Sequence, residues 1–209
     1  MWFDDFNNLE IACAIVNSLV EYGMNEHLES NGVYDWFFDN NLFDCGFWTN
    51  NGATKTCFGH DDLPGWVFKV GHTRGVKRGC NYARLEYDNY CKAIDCGLER
   101  YFPETHFIGE FGGQEYFVQF AADCDEERVT SDWFERLSDS YLDNGEEVDS
   151  DRIWNEIDDL DSEDKARLVF GDEELCDFLS ENRINDLHEG NFGYIKGCMV
   201  IIDFSGYAG

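Results

Sequence analysis

RINDLHEGNFGY, residues 183–194, is the most elaborate polar segment of the chain, and VIIDFSG, residues 200–206, follows it closely. Asp186 and Asn191 lie five residues apart in the first segment, and Asp203 ends the apolar run of the second. Carboxylate and amide oxygens suit Mg²⁺, which takes few protein ligands together with water and phosphate oxygens. The pattern therefore predicts a magnesium site at Asn191 and Asp203, and an Asp186 that accepts a proton from an attacking hydroxyl. Taken singly, each of the three residues also fits an ordinary turn.

A lysine lies inside a second apolar run. WVFKV, residues 66–70, is typical of a short strand, and burying Lys69 there without a partner would be costly. The helix predicted to follow offers Glu86, seventeen residues further on, on the same face as Ala83 and Tyr90. A helix packed on the sheet would bring Glu86 to Lys69. The alternative is that Lys69 lies in an edge strand and extends its ammonium group to solvent.

The order of these features resembles the protein-kinase-like phosphotransferases, which have a strand lysine, a glutamate on the next helix, a D-x-x-x-x-N loop and an apolar strand ending in Asp-Phe. In this resemblance Asp186 matches the catalytic base, and Asn191 and Asp203 match the magnesium ligands. Lys69 matches the lysine that contacts the nucleotide phosphates, and Glu86 matches its helix partner. The resemblance implies ATP and Mg²⁺ as cofactors.

A closer resemblance is carried by FKVG, residues 68–71, by the Arg- and Lys-rich loop after it, and by the next helix. In these features the chain is similar to the early-gene serine/threonine kinases of short-tailed phages. The resemblance covers roughly residues 45–206. It implies a small kinase that transfers the γ-phosphate of ATP to a protein, a host protein in the host cytoplasm if the chain is phage-encoded. His188, two residues after Asp186, is also frequent in small-molecule phosphotransferases, so the acceptor stays open.

The phosphate-binding loop departs from the family pattern. The chain has no G-x-G-x-x-G, but Gly52 lies seventeen residues before Lys69, at the distance of the last glycine of such a loop. GATKTCF, residues 52–58, is therefore predicted to fold over nucleotide phosphates with its backbone N–H groups. Thr54 and Lys55 are predicted to add contacts to the nucleotide.

The last part of the sequence also departs from the kinase pattern. Ser205 replaces the glycine of the D-F-G motif, and six residues follow Asp203. A full kinase continues with an activation segment and several helices, so the resemblance implies a truncated, mostly helical C-lobe. The predicted fold class is α+β and protein-kinase-like, with an antiparallel N-lobe sheet and one packed helix. The expected parts are an N-terminal helical extension (1–44), the N-lobe (45–122) and the truncated acidic C-lobe (123–209).

Local signals predict several elements within these parts. Asn81 is a suitable N-cap and Gly97 a suitable end for the helix that carries Glu86. The sequence THFIGEFGGQEYFVQF predicts a hairpin that turns at Gly112 and Gly113. A helix is expected near residues 173–180, where apolar residues recur at helical spacing.

The net charge of the chain restricts the classes of partner that it can bind. The formal net charge is −29, which excludes a general electrostatic attraction to nucleic acid. Residues 123–181 contain 23 Asp and Glu against five Lys and Arg. This segment fits a solvated helical face or adaptation to salt. It also fits a surface that docks a basic protein, and the alternative function is a catalytically inactive kinase-like binder that inhibits a basic or nucleic-acid-handling protein. Exposed aromatic residues would favour a homo-oligomer, but the sequence does not say which are exposed.

The expected compartment is the cytoplasm. The first residues, MWFDDFNNLEI, lack the basic-then-apolar layout of a signal peptide, and no apolar run approaches the length of ~18 residues that a membrane span needs. The nine cysteines include no C-x-x-C pair, which argues against a structural zinc site and for reduced thiols.

Overall fold

The computed structural model describes residues 6–206 and confirms the α+β class. The helices are α1 (Phe6–Glu21), α2 (Gly32–Asp39), α3 (Tyr82–Cys96), α4 (Glu126–Asp143), α5 (Ser150–Asp159), α6 (Ser162–Phe170) and α7 (Glu173–Glu181). The strands are β1 (Phe47–Asn51), β2 (Lys55–His60), β3 (Trp66–Gly71), β4 (Thr105–Phe111), β5 (Gln114–Phe120), β6 (Phe192–Ile195) and β7 (Cys198–Ile201). No helix within residues 6–206 is both long and apolar enough to cross a membrane.

The chain divides into two compact units. The first contains the residues up to Lys92 together with Pro103–Ala121, and the second contains Ala93–Phe102 and the described residues from Ala122 onward. The first residues of the predicted N-terminal extension and the last residues of the predicted C-lobe lie outside the described part of the chain.

The first unit is built on a five-stranded antiparallel sheet with the strand order β1-β2-β3-β5-β4. β4 and β5 form the predicted hairpin, and its turn at Gly112 and Gly113 has positive φ angles of 58° and 78°, which glycine adopts readily. The predicted caps of α3 are confirmed, since the Arg84 amide donates to Asn81 Oδ1 over 3.1 Å and the helix ends before Gly97 at a φ of 74°.

One face of this sheet shares a hydrophobic core with the helices that precede it. Ala12 and Val16 of α1 and Phe37 of α2 are fully buried in the same cluster as Phe58 and Phe68 of the sheet. The helices before residue 45 are therefore an integral layer of the first unit. Since successive strand residues point to opposite faces, the polar residues that alternate with this core face α3 on the other side.

The second unit contains α4 to α7 and the β6–β7 hairpin. Each of these four helices starts at an aspartate N-cap whose carboxylate accepts hydrogen bonds from backbone amides of the first turn; the caps are Asp125, Asp149, Asp161 and Asp172. Part of the acidic charge of residues 123–181 thus satisfies helix ends, where negative charge is also favoured by the helix dipole. α7 confirms the predicted helix and buries Leu175, Phe178 and Leu179.

Candidate active site

The first unit contains a buried ion pair between Lys69 on β3 and Glu86 on α3. Lys69 Nζ donates a hydrogen bond to Glu86 Oε1, and the exposed fractions of the two residues are 5 % and 1 %. β3 is the middle strand of the sheet and pairs with β2 and β5, so the edge-strand alternative for Lys69 is wrong. Removing both charges from water is expensive, and the close pairing offsets part of that cost.

Glu86 has a second lysine partner. Lys55 Nζ lies 2.9 Å from Glu86 Oε2, and Lys55 is 3 % exposed. Cys57 pairs with Lys69 across the β2–β3 ladder, so Lys55, two residues before Cys57, lies diagonally across from Lys69 on the same sheet face. The three charged side chains together carry one excess positive charge, which suits a site that receives an anion. Lys55 was predicted to contact nucleotide from the loop, and the structure places it beside Glu86.

Two uncharged side chains complete this cluster. Gln119 Nε2 on β5 donates to Glu86 Oε1 over 2.7 Å and to Thr105 Oγ1 over 3.1 Å. Thr105 Oγ1 in turn donates to the Pro103 carbonyl over 2.9 Å. These bonds hold the carboxylate of Glu86 in one orientation toward the lysines. Gln119 was not among the predicted site residues; the available signal was an amide side chain inside the apolar run YFVQF.

The predicted phosphate loop, residues 52–58, consists of the tight turn between β1 and β2 and the first four residues of β2. The Gly52 amide donates to the Lys55 carbonyl over 3.2 Å, and the His72 amide donates to the Thr54 carbonyl over 3.0 Å. His72 is buried, with Nε2 lying 3.0 Å from Thr56 Oγ1, and burial lowers the pKa of its imidazole. His72 is thus neutral near pH 7. The turn leaves Gly52 exposed and Thr54 half-buried, while Lys55 points to Glu86.

In the second unit, the segment from Asp186 to Asn191 forms a closed loop that ends in a 3₁₀ turn. Asn191 Nδ2 donates to the Asp186 carbonyl, and the Asn191 amide donates to the His188 carbonyl over 2.8 Å. The Gly190 amide donates to His188 Nδ1 over 3.1 Å. Asn191 is buried in this loop, whereas Asp186 is exposed.

A serine from α6 fixes the same loop from a distance in sequence. Ser162 Oγ donates to the Asn185 carbonyl over 2.7 Å and accepts from the Leu187 amide over 3.0 Å, so its two bonds flank Asp186. Ser162 was not among the predicted site residues. No local pattern could have found it, because 23 and 25 residues separate it from these partners.

The β6–β7 hairpin brings the backbone next to Asp203 back to Asn191. Phe192 pairs with Ile201, and the Ile202 amide donates to the Asn191 carbonyl over 2.9 Å. Ser205 Oγ donates to Asp203 Oδ1 over 3.3 Å. The hairpin therefore holds the two predicted magnesium ligands on neighbouring backbone segments of one unit.

The donor set that the sequence predicts for magnesium consists of two side chains of the second unit. Within residues 6–206 no three His, Cys, Asp or Glu side chains cluster closely enough to hold a metal ion. Asn191 and Asp203 offer one amide and one carboxylate, and Mg²⁺ is commonly bound by one or two carboxylates with phosphate and water oxygens.

The comparisons with known proteins gave no family for this chain. No protein-family model matches it, and no curated protein is similar enough to count as a match.

Proposed function

We propose that the protein is an ATP- and magnesium-dependent phosphotransferase of the protein-kinase-like fold, and that it transfers the γ-phosphate to a serine or threonine of a protein. The observation that carries this proposal is the buried Lys69–Glu86 ion pair, which joins the central strand of the sheet to α3. Burying such a pair usually adds little to stability compared with an apolar pair of the same size. A role in binding phosphate explains why the first unit keeps it.

The residues that carry the resemblance have distinct roles in the proposed reaction. Lys69, oriented by Glu86, would bind the α- and β-phosphates of the nucleotide. Asp186 would accept the proton of the acceptor hydroxyl. The oxygen of that hydroxyl bonds to the γ-phosphorus while the bond between the γ-phosphorus and the β–γ bridging oxygen breaks, which releases ADP. Asn191 and Asp203 would hold magnesium, which neutralises phosphate charge when bound.

Transfer of labelled γ-phosphate from Mg-ATP to a host lysate tests the proposal, with Asp186→Asn as the test variant. Loss of a general base typically costs about 10²–10⁴-fold in rate, so labelling by this variant should fall close to background. Asp177→Asn, which changes an exposed aspartate on α7, is the matched control and should label normally. Equal labelling by the Asp186→Asn variant and the parent protein would refute the proposal.

A second candidate function is a catalytically inactive kinase-like binder that inhibits a basic or nucleic-acid-handling protein. The observation that favours it is the dense exposed carboxylate surface of residues 123–181. Capture of a basic host protein that weakens with added salt, together with an absence of phosphate transfer, would favour this function over the first.

A further inference from the structure

The second unit has a cleft of about 520 Å³ with an aromatic floor and a carboxylate rim. The rings of Phe134 on α4 and Trp154 on α5 form the floor, with centroids 4.8 Å apart, and Trp154 is 41 % exposed. The rim carries Glu126 and Glu127 from the first turn of α4 and Glu189 from the loop after Asp186. An apolar groove of this kind is suited to a ligand that combines hydrocarbon with positive charge.

The three rim carboxylates have no cationic partner within the described residues. Among residues 6–206, no lysine, arginine or histidine forms an ion pair with Glu126, Glu127 or Glu189. The arginine closest in sequence, Arg128, pairs instead with Asp123 at 3.8 Å and lies over the Tyr194 ring. The rim therefore presents three carboxylates that no cationic side chain of the described residues pairs with.

We propose that this cleft binds a lysine or arginine side chain of a basic peptide. The long aliphatic stem of such a side chain would pack on Phe134 and Trp154, and its cationic head would meet the rim carboxylates and the ring faces. A phosphate or an acidic peptide is excluded by the charge of the rim.

The position of the cleft gives it a role in choosing substrate, an assignment that rests on the proposed function. Glu189 lies three residues after Asp186, on the same loop. Glu126 approaches that loop closely: a Cβ on Gly190 would lie 3.3 Å from Glu126 Oε1. A peptide whose basic residue occupies the cleft is thereby held beside the loop that carries Asp186, so the preferred substrates are serines or threonines near Lys or Arg.

Direct binding tests the cleft without requiring catalysis. The probes are a short synthetic peptide of lysine, serine and glycine, and the same peptide with every lysine replaced by glutamine. Binding to the full chain is followed by fluorescence anisotropy of the labelled peptide in the absence of ATP. The lysine peptide should bind, the glutamine peptide should not, and added KCl should weaken binding because the rim is exposed to screening.

The test variant combines Glu126→Gln, Glu127→Gln and Glu189→Gln. Loss of three ion pairs at a solvent-exposed rim should weaken binding of the lysine peptide about tenfold or more. The matched control combines Glu135→Gln, Asp139→Asn and Asp143→Asn, which remove the same charge from exposed positions elsewhere on α4. This control should keep parental affinity, and far-UV circular dichroism should show that both variants are folded.

Three results would each overturn the inference: equal binding of the two peptides by the parent, equal weakening by the control variant, or no binding of the lysine peptide. If the triple variant does not fold, the difference in binding of the lysine and glutamine peptides to the parent protein still tests the inference. Phosphate transfer is measured separately. Peptide binding without transfer would end the proposed function and leave the cleft in place, whereas transfer without peptide binding would end only the cleft assignment.

Discussion

Glu86 is the residue at which two buried ammonium groups meet, since Lys69 and Lys55 each contact one of its carboxylate oxygens. Removing Glu86 takes away the carboxylate that both lysines share. Removing one lysine is less severe, because Glu86 keeps the other and the repulsion between the two ammonium groups disappears.

Glu86→Gln should therefore lower the free energy of unfolding by about 3–5 kcal/mol, the usual cost of breaking a buried ion pair from one side. Lys55→Met and Lys69→Met should each cost less than Glu86→Gln. Urea unfolding followed by tryptophan fluorescence gives the comparison. Asp88→Asn, in the exposed Arg84–Asp88 pair of the same helix, is the control and should change stability little. A single lysine variant less stable than Glu86→Gln would contradict the shared-partner interpretation.

At the scale of elements, Ser162 at the N-terminus of α6 holds the loop around Asp186 through its hydrogen bonds to the backbone of Asn185 and Leu187. Ser162→Ala removes both bonds and should cost about 1–3 kcal/mol locally, at about 0.5–1.5 kcal/mol for each hydrogen bond. Hydrogen exchange at the Leu187 amide should accelerate, and phosphate transfer should fall. Ser162→Thr should restore both, since it keeps the hydroxyl.

Ser150→Ala is the control for this prediction. Ser150 occupies the equivalent first position of α5, after the N-cap Asp149, and makes no such bond to the loop. Unchanged exchange at Leu187 in the Ser162→Ala variant would show that other contacts hold the loop.

The elements that the sequence predicted correctly are those with local signals. The caps of α3 at Asn81 and Gly97 and the hairpin turn at Gly112 are set by the residues at those positions. A pairing between distant segments could be predicted only where a buried charge needs a partner of opposite charge, as Lys69 needs Glu86. The contacts of Gln119 and Ser162 could not be foreseen, because uncharged polar residues can find partners in many places, water included.

At the scale of the whole molecule, the net charge of −29 sets a general electrostatic cost for folding. A folded chain holds its carboxylates closer together than an unfolded chain does, so their mutual repulsion opposes folding. Local cations offset only part of this in the acidic segment, where five Lys and Arg face 23 Asp and Glu, so that Arg167 is shared by three carboxylates, those of Glu163, Asp164 and Glu173.

Added salt should therefore stabilise the protein. Raising NaCl from about 0.01 M to 0.5 M shortens the Debye length from roughly 30 Å to less than 8 Å and screens this repulsion. The melting temperature measured by differential scanning calorimetry should rise, and KCl should have the same effect. A melting temperature that falls with both salts would mean that the exposed ion pairs outweigh the repulsion.

The shared carboxylate of Glu86 also bears on ancestry. Because Lys55 and Lys69 reach it from adjacent strands, a descendant could lose either lysine by point mutation and still keep a cation on the glutamate. Lineages could then differ in which strand carries the lysine that pairs with the glutamate. A search for relatives that requires lysine at the position of Lys69 would miss a related protein that has kept only the lysine on β2, at the position of Lys55.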